Sequence, residues 1–452
     1  MKIRKIIIRI LFVLLALVAA VLVVRAVLNF TEGKRLTRTL ADLKARGVPL
    51  TVKDLVTLCP DGENGAPFWK AAEELYTFEG EDTKLLNEAY QNFVRDTPIA
   101  AETWSALSRL IEKNRRVLDL IPEVAGKPCF QYRDTGVKPW EKNLKYWEKK
   151  IPDAIKTIRA ARLLGFDAFL SAEKGDVRAS LERLRIGLRF APKIAEESLL
   201  ITYLIAVADA KACLMFLNKA VCGREVSAEL LLPVLGDLDD RQINHWKVLL
   251  KNSIRGERVL FMDVGLPLSP AALQQAFGGK AWTERLYYWL LRPFVKRDIS
   301  LNLPKYEELE TRALSSYYQT RDFWKPYQDH LHSLPWYAIV SKNILPEMET
   351  TFMKAATLDA LILTARVGLA CRIFKSRTGE YPESLEALVP GILAEVPTDP
   401  FTGKPLVYRR DGKGFIVYSL GSNLKDDGGR NTWEITQLVM DKDDDWTWRE
   451  DR

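Results

Sequence analysis

Few residues in this chain stand at spacings that carry chemistry. Ser171-Ala172-Glu173-Lys174 has the interval of a Ser/Lys nucleophile. In such enzymes the serine opens a helix, whereas here the motif closes one before Gly175, and the companion Ser-Asp-Asn motif is absent. His330-Leu331-His332 would present two imidazoles on one face only in a strand. No Gly-rich phosphate loop, His-Glu-x-x-His or Gly-x-Ser-x-Gly pattern occurs. Glu73-Glu74 and Glu196-Glu197 are carboxylate pairs of a kind common on helix surfaces, and spacing in sequence does not set the separation of two carboxyls in space. A cysteine nucleophile would want a histidine nearby, and only His245, His330 and His332 are available. The five cysteines are sparse and odd in number. Cys213 and Cys222 on one helix would be ~13 Å apart along its axis, beyond disulfide reach. Cys59 with Cys129 is a pairing the sequence allows without requiring.

The elements that would position such residues begin at the membrane. Ile10 to Val24 is an unbroken run of 15 apolar residues, and Ile6 to Leu28 is long enough to span a bilayer if Arg9 and Arg25 snorkel to its two faces. Four basic residues precede the run and one follows, so the N-terminus is expected inside and the bulk exported, in the periplasm. A cleaved signal peptide is the rival reading, since Val24-Arg25-Ala26 loosely fits a small-residue cleavage site. The apolar stretch is longer than a usual signal core, which favours a single-pass anchor in the cytoplasmic membrane. With no cysteine before Cys59, an N-terminal lipoprotein anchor is not expected. The net charge of +7 holds five basic residues within the first 30, leaving about +2 on the other 422, too little to argue for nucleic acid. A hydrophobic fraction of 47% excludes wholesale disorder.

The exported part reads as mainly α. Thr31 to Gly47 predicts a helix leaving the membrane, with Leu36, Leu40 and Leu43 on one face. Phe68 to Tyr76 resumes a helical pattern. Helices are predicted from Pro152 to a turn at Lys174-Gly175-Asp176, from Val177 to Phe190 with a stop at Pro192, and from Ile194 to Val221. The apolar piece Leu199 to Ala208 is too short to be a second span and reads as a buried core helix. The first two helices resemble a tetratricopeptide hairpin, through Leu163-Leu164-Gly165, Gly175-Asp176, Ala179 and Pro192, but no second copy follows at the expected period. Ala281 to Arg297 mixes Trp282, Tyr287, Tyr288, Trp289 and Phe294 with Arg285, Arg292, Lys296 and Arg297. It reads either as a helix lying on a bilayer surface or as a core helix with a basic outer edge, closed by Pro293.

Thr350 to Ser376 predicts a long helix, after which Leu406 to Arg409 and Phe415 to Leu420 read as strands between Gly-rich turns. These residues form an ordered series: Gly379-Glu380-Tyr381-Pro382, Leu385 and Leu388, Asp399-Pro400-Phe401, Gly403-Lys404-Pro405, Tyr408, Tyr418-Ser419-Leu420-Gly421 and Asp426-Asp427-Gly428-Gly429. The series resembles the globular head of the major pseudopilin of type II secretion. The rest of the chain looks similar to bacterial membrane-anchored proteins that carry such a head, through Arg46-Gly47-Val48-Pro49-Leu50 and Glu63-Asn64-Gly65-Ala66-Pro67; that group brings no assigned activity.

The resemblance implies a calcium site in the loop after the last core strand. Its matching ligands are the Leu420 carbonyl, Asn423, Asp426, Asp427 and the pair Asp444-Asp445. The chemistry agrees, because calcium takes about six to eight hard oxygens in a flexible loop, and crowding Asp441, Asp443, Asp444 and Asp445 near Asp426 and Asp427 without a cation would be repulsive. A solvated acidic tail without metal is the other reading. Leu424 stands where the family carries glycine, and is expected to resist a left-handed backbone. The loop is lengthened by Arg430 to Lys442, including a strand-like Glu434 to Met440. Between Met1 and Phe30 there is neither the glycine at which pseudopilins are processed nor the glutamate that follows it, so pilin-like polymerisation is not expected.

The expected architecture is therefore an anchor over 1–30, an exported helical-hairpin body over 31–345 and a small α+β pseudopilin-like domain over 346–452. The expected function is a non-catalytic scaffold or interaction module of the envelope, beside a secretion-system protein, with an exported hydrolase using carboxylates of the helical body as the alternative.

Overall fold

The computed structural model describes residues 2–55, 59–132, 154–265, 281–345, 347–429 and 446–450. Its first element, α1, is one unbroken helix, Lys2–Ala45. The anchor and the helix expected after it are thus a single rod. Apart from Arg9, the side chains described between Ile6 and Val24 are exposed and apolar, and this part of α1 is long and apolar enough to cross a membrane. Beyond Phe30 the same helix becomes amphipathic, with Leu36 and Leu43 buried. Gly47, at φ +73°, ends it. Just after it, the carbonyl of Pro49 accepts a bond of 3.0 Å from the buried Arg258 guanidinium.

The body is helical because its apolar positions recur at helical spacing. After the short α2 (Val52–Leu55) come α3 (Ala66–Leu75), α4 (Gly80–Val94), α5 (Ala101–Lys113) and α6 (Arg115–Ala125), each amphipathic and packed inward by one face. Then α7 (Ala154–Glu173) and α8 (Val177–Ala195) make the expected hairpin. Gly175 turns the chain at φ +88°, and the Asp176 carboxylate caps α8 by accepting from the Ala179 N–H at 3.0 Å. Between them lies α9 (Leu200–Val221), apolar on nearly all sides and correspondingly buried, a core helix as its sequence predicts. Its Phe216 stacks on Phe93 at 4.5 Å and meets Phe166 edge-on at 5.0 Å.

Two helix ends differ from expectation. Pro192 lies inside α8, which runs on to Ala195, and the third helix starts at Leu200 instead of Ile194. Ser198, at φ +57°, breaks the chain between them, and the Glu257 carboxylate receives the Leu200 N–H at 3.2 Å. Likewise Pro293 does not close its helix.

The second half holds α10 (Ala228–Asp237), α11 (Asp240–Gly265), α12 (Ala281–Asn302), α13 (Lys305–Arg312), α14 (Tyr317–Ser333), α15 (Ile339–Ile344) and α16 (Glu347–Thr378). The long α16 packs on α9, α10 and α11 with one side and on a small sheet with the other. That sheet is antiparallel, in the order β1 (Val407–Asp411), β2 (Gly414–Ser419) and β3 (Trp446–Glu450). Val407 pairs with Tyr418, and Ser419 pairs with Trp446. Two of these strands match the sequence reading. The strand-like 434–440 lies outside the described residues, and β3 comes from the end of the chain that reads only as acidic. Every residue of β2 is buried. Trp448 of β3 lies flat on Gly368 of α16, and Arg372 of α16 forms a buried ion pair with Glu450. The molecule is mainly helical, with one small three-stranded sheet and an N-terminal apolar helix.

Candidate functional site

The loop that leaves β2 is held from below by the Asp-Pro-Phe turn. Asp399, almost fully buried, accepts from the Phe401 N–H and the Ser419 hydroxyl at 2.8 Å each through Oδ1, and from the Leu420 N–H at 3.1 Å through Oδ2. A carboxylate with three donors is well satisfied, and it fixes where the Leu420 carbonyl begins the loop. In the sequence this aspartate belongs only to the series that carries the resemblance, with no role of its own. Its role follows from a short side chain two residues before an N–H that it can cap.

Beyond Leu420 the loop folds on itself. The Asn423 Nδ2 donates to Asp427 Oδ2 at 2.8 Å, and the Asn423 Oδ1 accepts from the Lys425 N–H at 2.9 Å. Asp426 Oδ1 accepts from the buried Tyr418 hydroxyl at 2.8 Å and from the Gly428 N–H at 2.9 Å. The structure therefore brings Asn423, Asp426 and Asp427 together in one tight turn above the Leu420 position. Asp444 and Asp445 lie outside the described residues, as do Asp441 and Asp443. Leu424 does adopt the left-handed backbone it was expected to resist, at φ +60°, because the Asn423 and Asp427 bonds close the turn around it. Arg409 of β1 donates to the Gly428 carbonyl at 2.8 Å, setting one cation beside the two carboxylates.

All the donors here are oxygens, the class that calcium takes and that softer metals do not favour. One oxygen of each carboxylate is occupied by bonds inside the loop. Among the described residues no group of three or more His, Cys, Asp or Glu side chains is placed to hold a metal. The described part of the loop is thus chemically suited to calcium but supplies two carboxylates alone.

Between β3, with Gly429 at the loop's end, and the helical body runs a groove of about 830 Å³. Phe93, Trp104, Phe169 and Leu214 make its apolar floor, and Asp96, Lys219, Glu173 and Arg224 stand at its sides. Lys219 pairs with Asp96, and Arg224 with Glu173. An apolar floor with polar edges is the usual make-up of a binding cleft, and no sequence pattern marks it, because its walls come from six separate segments.

The other sequence candidates are placed in supporting roles. Glu196 receives the Phe130 N–H at 2.7 Å, and Glu197 receives the Tyr132 N–H, so this pair fastens the 130–132 segment to the end of α8. The same segment is tied to Cys59 by the Cys59–Cys129 disulfide, and Asn64 bonds both ways with Gln131 at 2.7 and 2.9 Å. Among the described residues Cys213, Cys222 and Cys371 take no part in a disulfide. Ser171 donates back to the Asp167 carbonyl at 2.8 Å in the last turn of α7. His330 contacts the Asn302 side chain at 3.0 Å, and since α14 is helical, His332 does not share its face. Burial pushes two carboxyls up to about 7: Glu257 of α11, against the bond from the Leu200 N–H, and Asp359 of α16, against the pull of Lys247. Asp359 borders a cavity of about 20 Å³ with Tyr203 and Lys247, room for one water.

Comparison with known proteins finds no matching family model, no matching curated protein and no matching solved structure.

Proposed function

We propose that the chain is a single-pass protein of the bacterial cytoplasmic membrane, N-terminus inside, whose exported body is a scaffold or interaction module with a calcium-stabilised, pseudopilin-like head. The observation that carries this reading is the continuity of α1, whose apolar half faces outward on all sides while its second half is built into the body. Lys2, Arg4, Lys5 and Arg9 before the apolar run, against Arg25 after it, favour the inward N-terminus. The Cys59–Cys129 disulfide supports an oxidising, extracytoplasmic side for the body. The groove beside the head supports interaction, and the pseudopilin resemblance points to an envelope or secretion-system protein as the partner. Protease added outside spheroplasts should degrade the body and leave the anchor; a body that stays protected until the membrane is lysed would overturn the topology.

In this reading calcium is held by the Leu420 carbonyl, Asn423, Asp426 and Asp427, with Asp444 and Asp445 completing the set. The ion would supply positive charge to a loop of carboxylates, and the residues' own part is to fasten the loop to β2 through Tyr418 and Asp399. A ligand that binds the native state alone raises its melting temperature. The full chain in detergent should therefore melt roughly 2–5 °C higher in millimolar calcium than in EGTA. Magnesium should not substitute, and Asp426→Asn with Asp427→Asn should abolish the rise. Identical melts in calcium and EGTA would remove the metal from the proposal.

The alternative, an exported hydrolase using carboxylates of the helical body, draws on Glu257 within that body and Asp359 on the adjoining α16, whose raised pKa values are of the kind general acids and bases show. The Asp359 cavity has room for a water and not for a substrate, and among the described residues no second carboxylate lines it, while Glu257 is engaged by the Leu200 N–H. The scaffold reading is preferred on that ground.

A further inference from the structure

α12 does not behave as either of the two helices its sequence suggests. Its second half is core, with Val295 and Ile299 buried. Its first half lies along α1 at the level where the apolar run ends. The Arg25 guanidinium stacks on the Trp289 ring at 3.5 Å and donates twice to the Trp289 carbonyl, at 2.8 and 3.0 Å. Further along, Lys296 donates to Asn29 Oδ1 at 2.9 Å, Arg297 approaches Glu32 at 3.8 Å, and Thr39 reaches the Ser300 carbonyl at 3.5 Å. Positions rise together along both helices, so α12 runs parallel to α1. The eight residues of α12 before Trp289 then extend ~12 Å further along α1, beside the last turns of the apolar run.

The described side chains there are not those of a water-facing helix. Leu286, Trp289 and Leu290 are 51%, 39% and 37% exposed, continuous with the exposed apolar surface of α1. Above them Arg25, Arg292 and Lys296 gather, and among the described residues no carboxylate pairs with any of the three. Glu32, further along α1, is already engaged by Arg35 and Arg297. Burial, then Arg292 and Arg25, hold the Lys296 ammonium below its ordinary pKa, as expected of like charges lacking a counter-ion. Apolar and aromatic groups below a row of cations is the arrangement that fits a lipid interface, acyl chains under phosphates.

We propose that the joint face of α1 and α12 is a docking surface for anionic phospholipid. Leu286, Trp289 and Leu290 enter the acyl boundary, and Arg25, Arg292 and Lys296 hold the headgroup phosphate. The inference rests on the reading of α1 as the membrane span. It adds a second contact, which fixes the body's tilt and rotation against the bilayer instead of leaving it free about one helix.

The test uses the full chain in nanodiscs of phosphatidylcholine with or without phosphatidylglycerol, after flotation with vesicles. A chain that fails to float refutes the span itself, and so is distinguishable from failure of the docking surface. In floating protein, brominated lipid should quench part of the tryptophan emission, and Trp289→Phe should lose a measurable share of that quenching. Phosphatidylglycerol should raise the melting temperature of the wild type, and Arg292→Gln with Lys296→Gln should cut the rise by more than half. Unchanged quenching in Trp289→Phe would overturn the apolar contact. An equal rise in the double variant would overturn the phosphate contact. The same rise with inorganic phosphate in neutral discs would show a free-anion site and overturn the lipid assignment.

Discussion

At Gly256 the fold leaves no room for a side chain. A Cβ there would fall 1.6 Å from the carbonyl oxygen of Ser198, a backbone atom that Glu257 and the start of α9 hold in place. Gly256→Ala must therefore push the α8–α9 corner away from α11, and should cost ~3 kcal/mol or more. Gly236, helical and with nothing within 4 Å of its added Cβ, is the control: Gly236→Ala should be neutral or stabilising by up to ~1 kcal/mol. Chemical denaturation of the two variants checks both, and equal stabilities would refute the steric argument. The same corner explains a limit of the sequence. Glu196-Glu197-Ser198-Leu199 contains no glycine or proline to mark a break, whereas Pro192 does mark one by the usual rule and sits inside a helix. The break depends on a glycine nearly sixty residues away, which no local pattern displays. Leu424 is a second case. Its side chain argues against a left-handed backbone, but the Asn423 to Asp427 bond closes the turn across it.

Among elements, those whose signal is local were legible and those assembled at a distance were not. The α7–α8 hairpin, the buried α9, the long α16 and the first two strands follow from periodicity, turn glycines and a capping aspartate. β3 was hidden because its Trp-Thr-Trp alternation follows a run of aspartates, and its partner is known only once β2 is placed. The Cys59–Cys129 link was one allowed pairing in the sequence. In the fold it stands beside the Asn64 and Gly65 bonds that clamp the 129–131 segment, with Gly65 donating to the Cys129 carbonyl at 2.8 Å. A bridge between residues separated by 70 in sequence restricts the unfolded chain strongly. Cys59→Ser with Cys129→Ser should lower stability by about 2–4 kcal/mol. Dithiothreitol should do the same to the wild type and nothing to the double variant. A wild type indifferent to reductant would mean that the bridge is absent in solution.

For the whole molecule, the balance of buried acids sets how stability responds to pH. Asp167 joins three helices. Burial alone would raise its pKa, but the Arg115 and Arg183 guanidiniums, each at 2.7 Å, hold it below the usual carboxylate range. Its contribution is present above about pH 4 and lost as pH falls through its folded value. Glu257 and Asp359 act the other way. Burial pushes each up to about 7, against the Leu200 N–H in one case and Lys247 in the other. Burial also raises Asp209, whose two oxygens have no hydrogen-bond partner among the described residues. For an acid raised in this way the folded state prefers the proton, so stability is greatest below the unfolded pKa, near 4, and declines as pH rises to about 7. The two opposing slopes place the maximum near pH 4–5. Between pH 5 and pH 8 the body should lose stability, and Asp359 alone should account for ~2 kcal/mol of that loss. Asp359→Asn, which keeps the shape of the neutral acid, should be more stable than the wild type at pH 8 and nearly equal to it at pH 4.5. Denaturant melts at the two pH values decide the matter. Equal stabilities of variant and wild type at pH 8 would mean that Asp359 ionises at no cost, which requires Lys247 to compensate its burial fully. In that case the Asp359 cavity would hold an ion pair, and the hydrolase reading would lose one of the two raised carboxyls on which it draws.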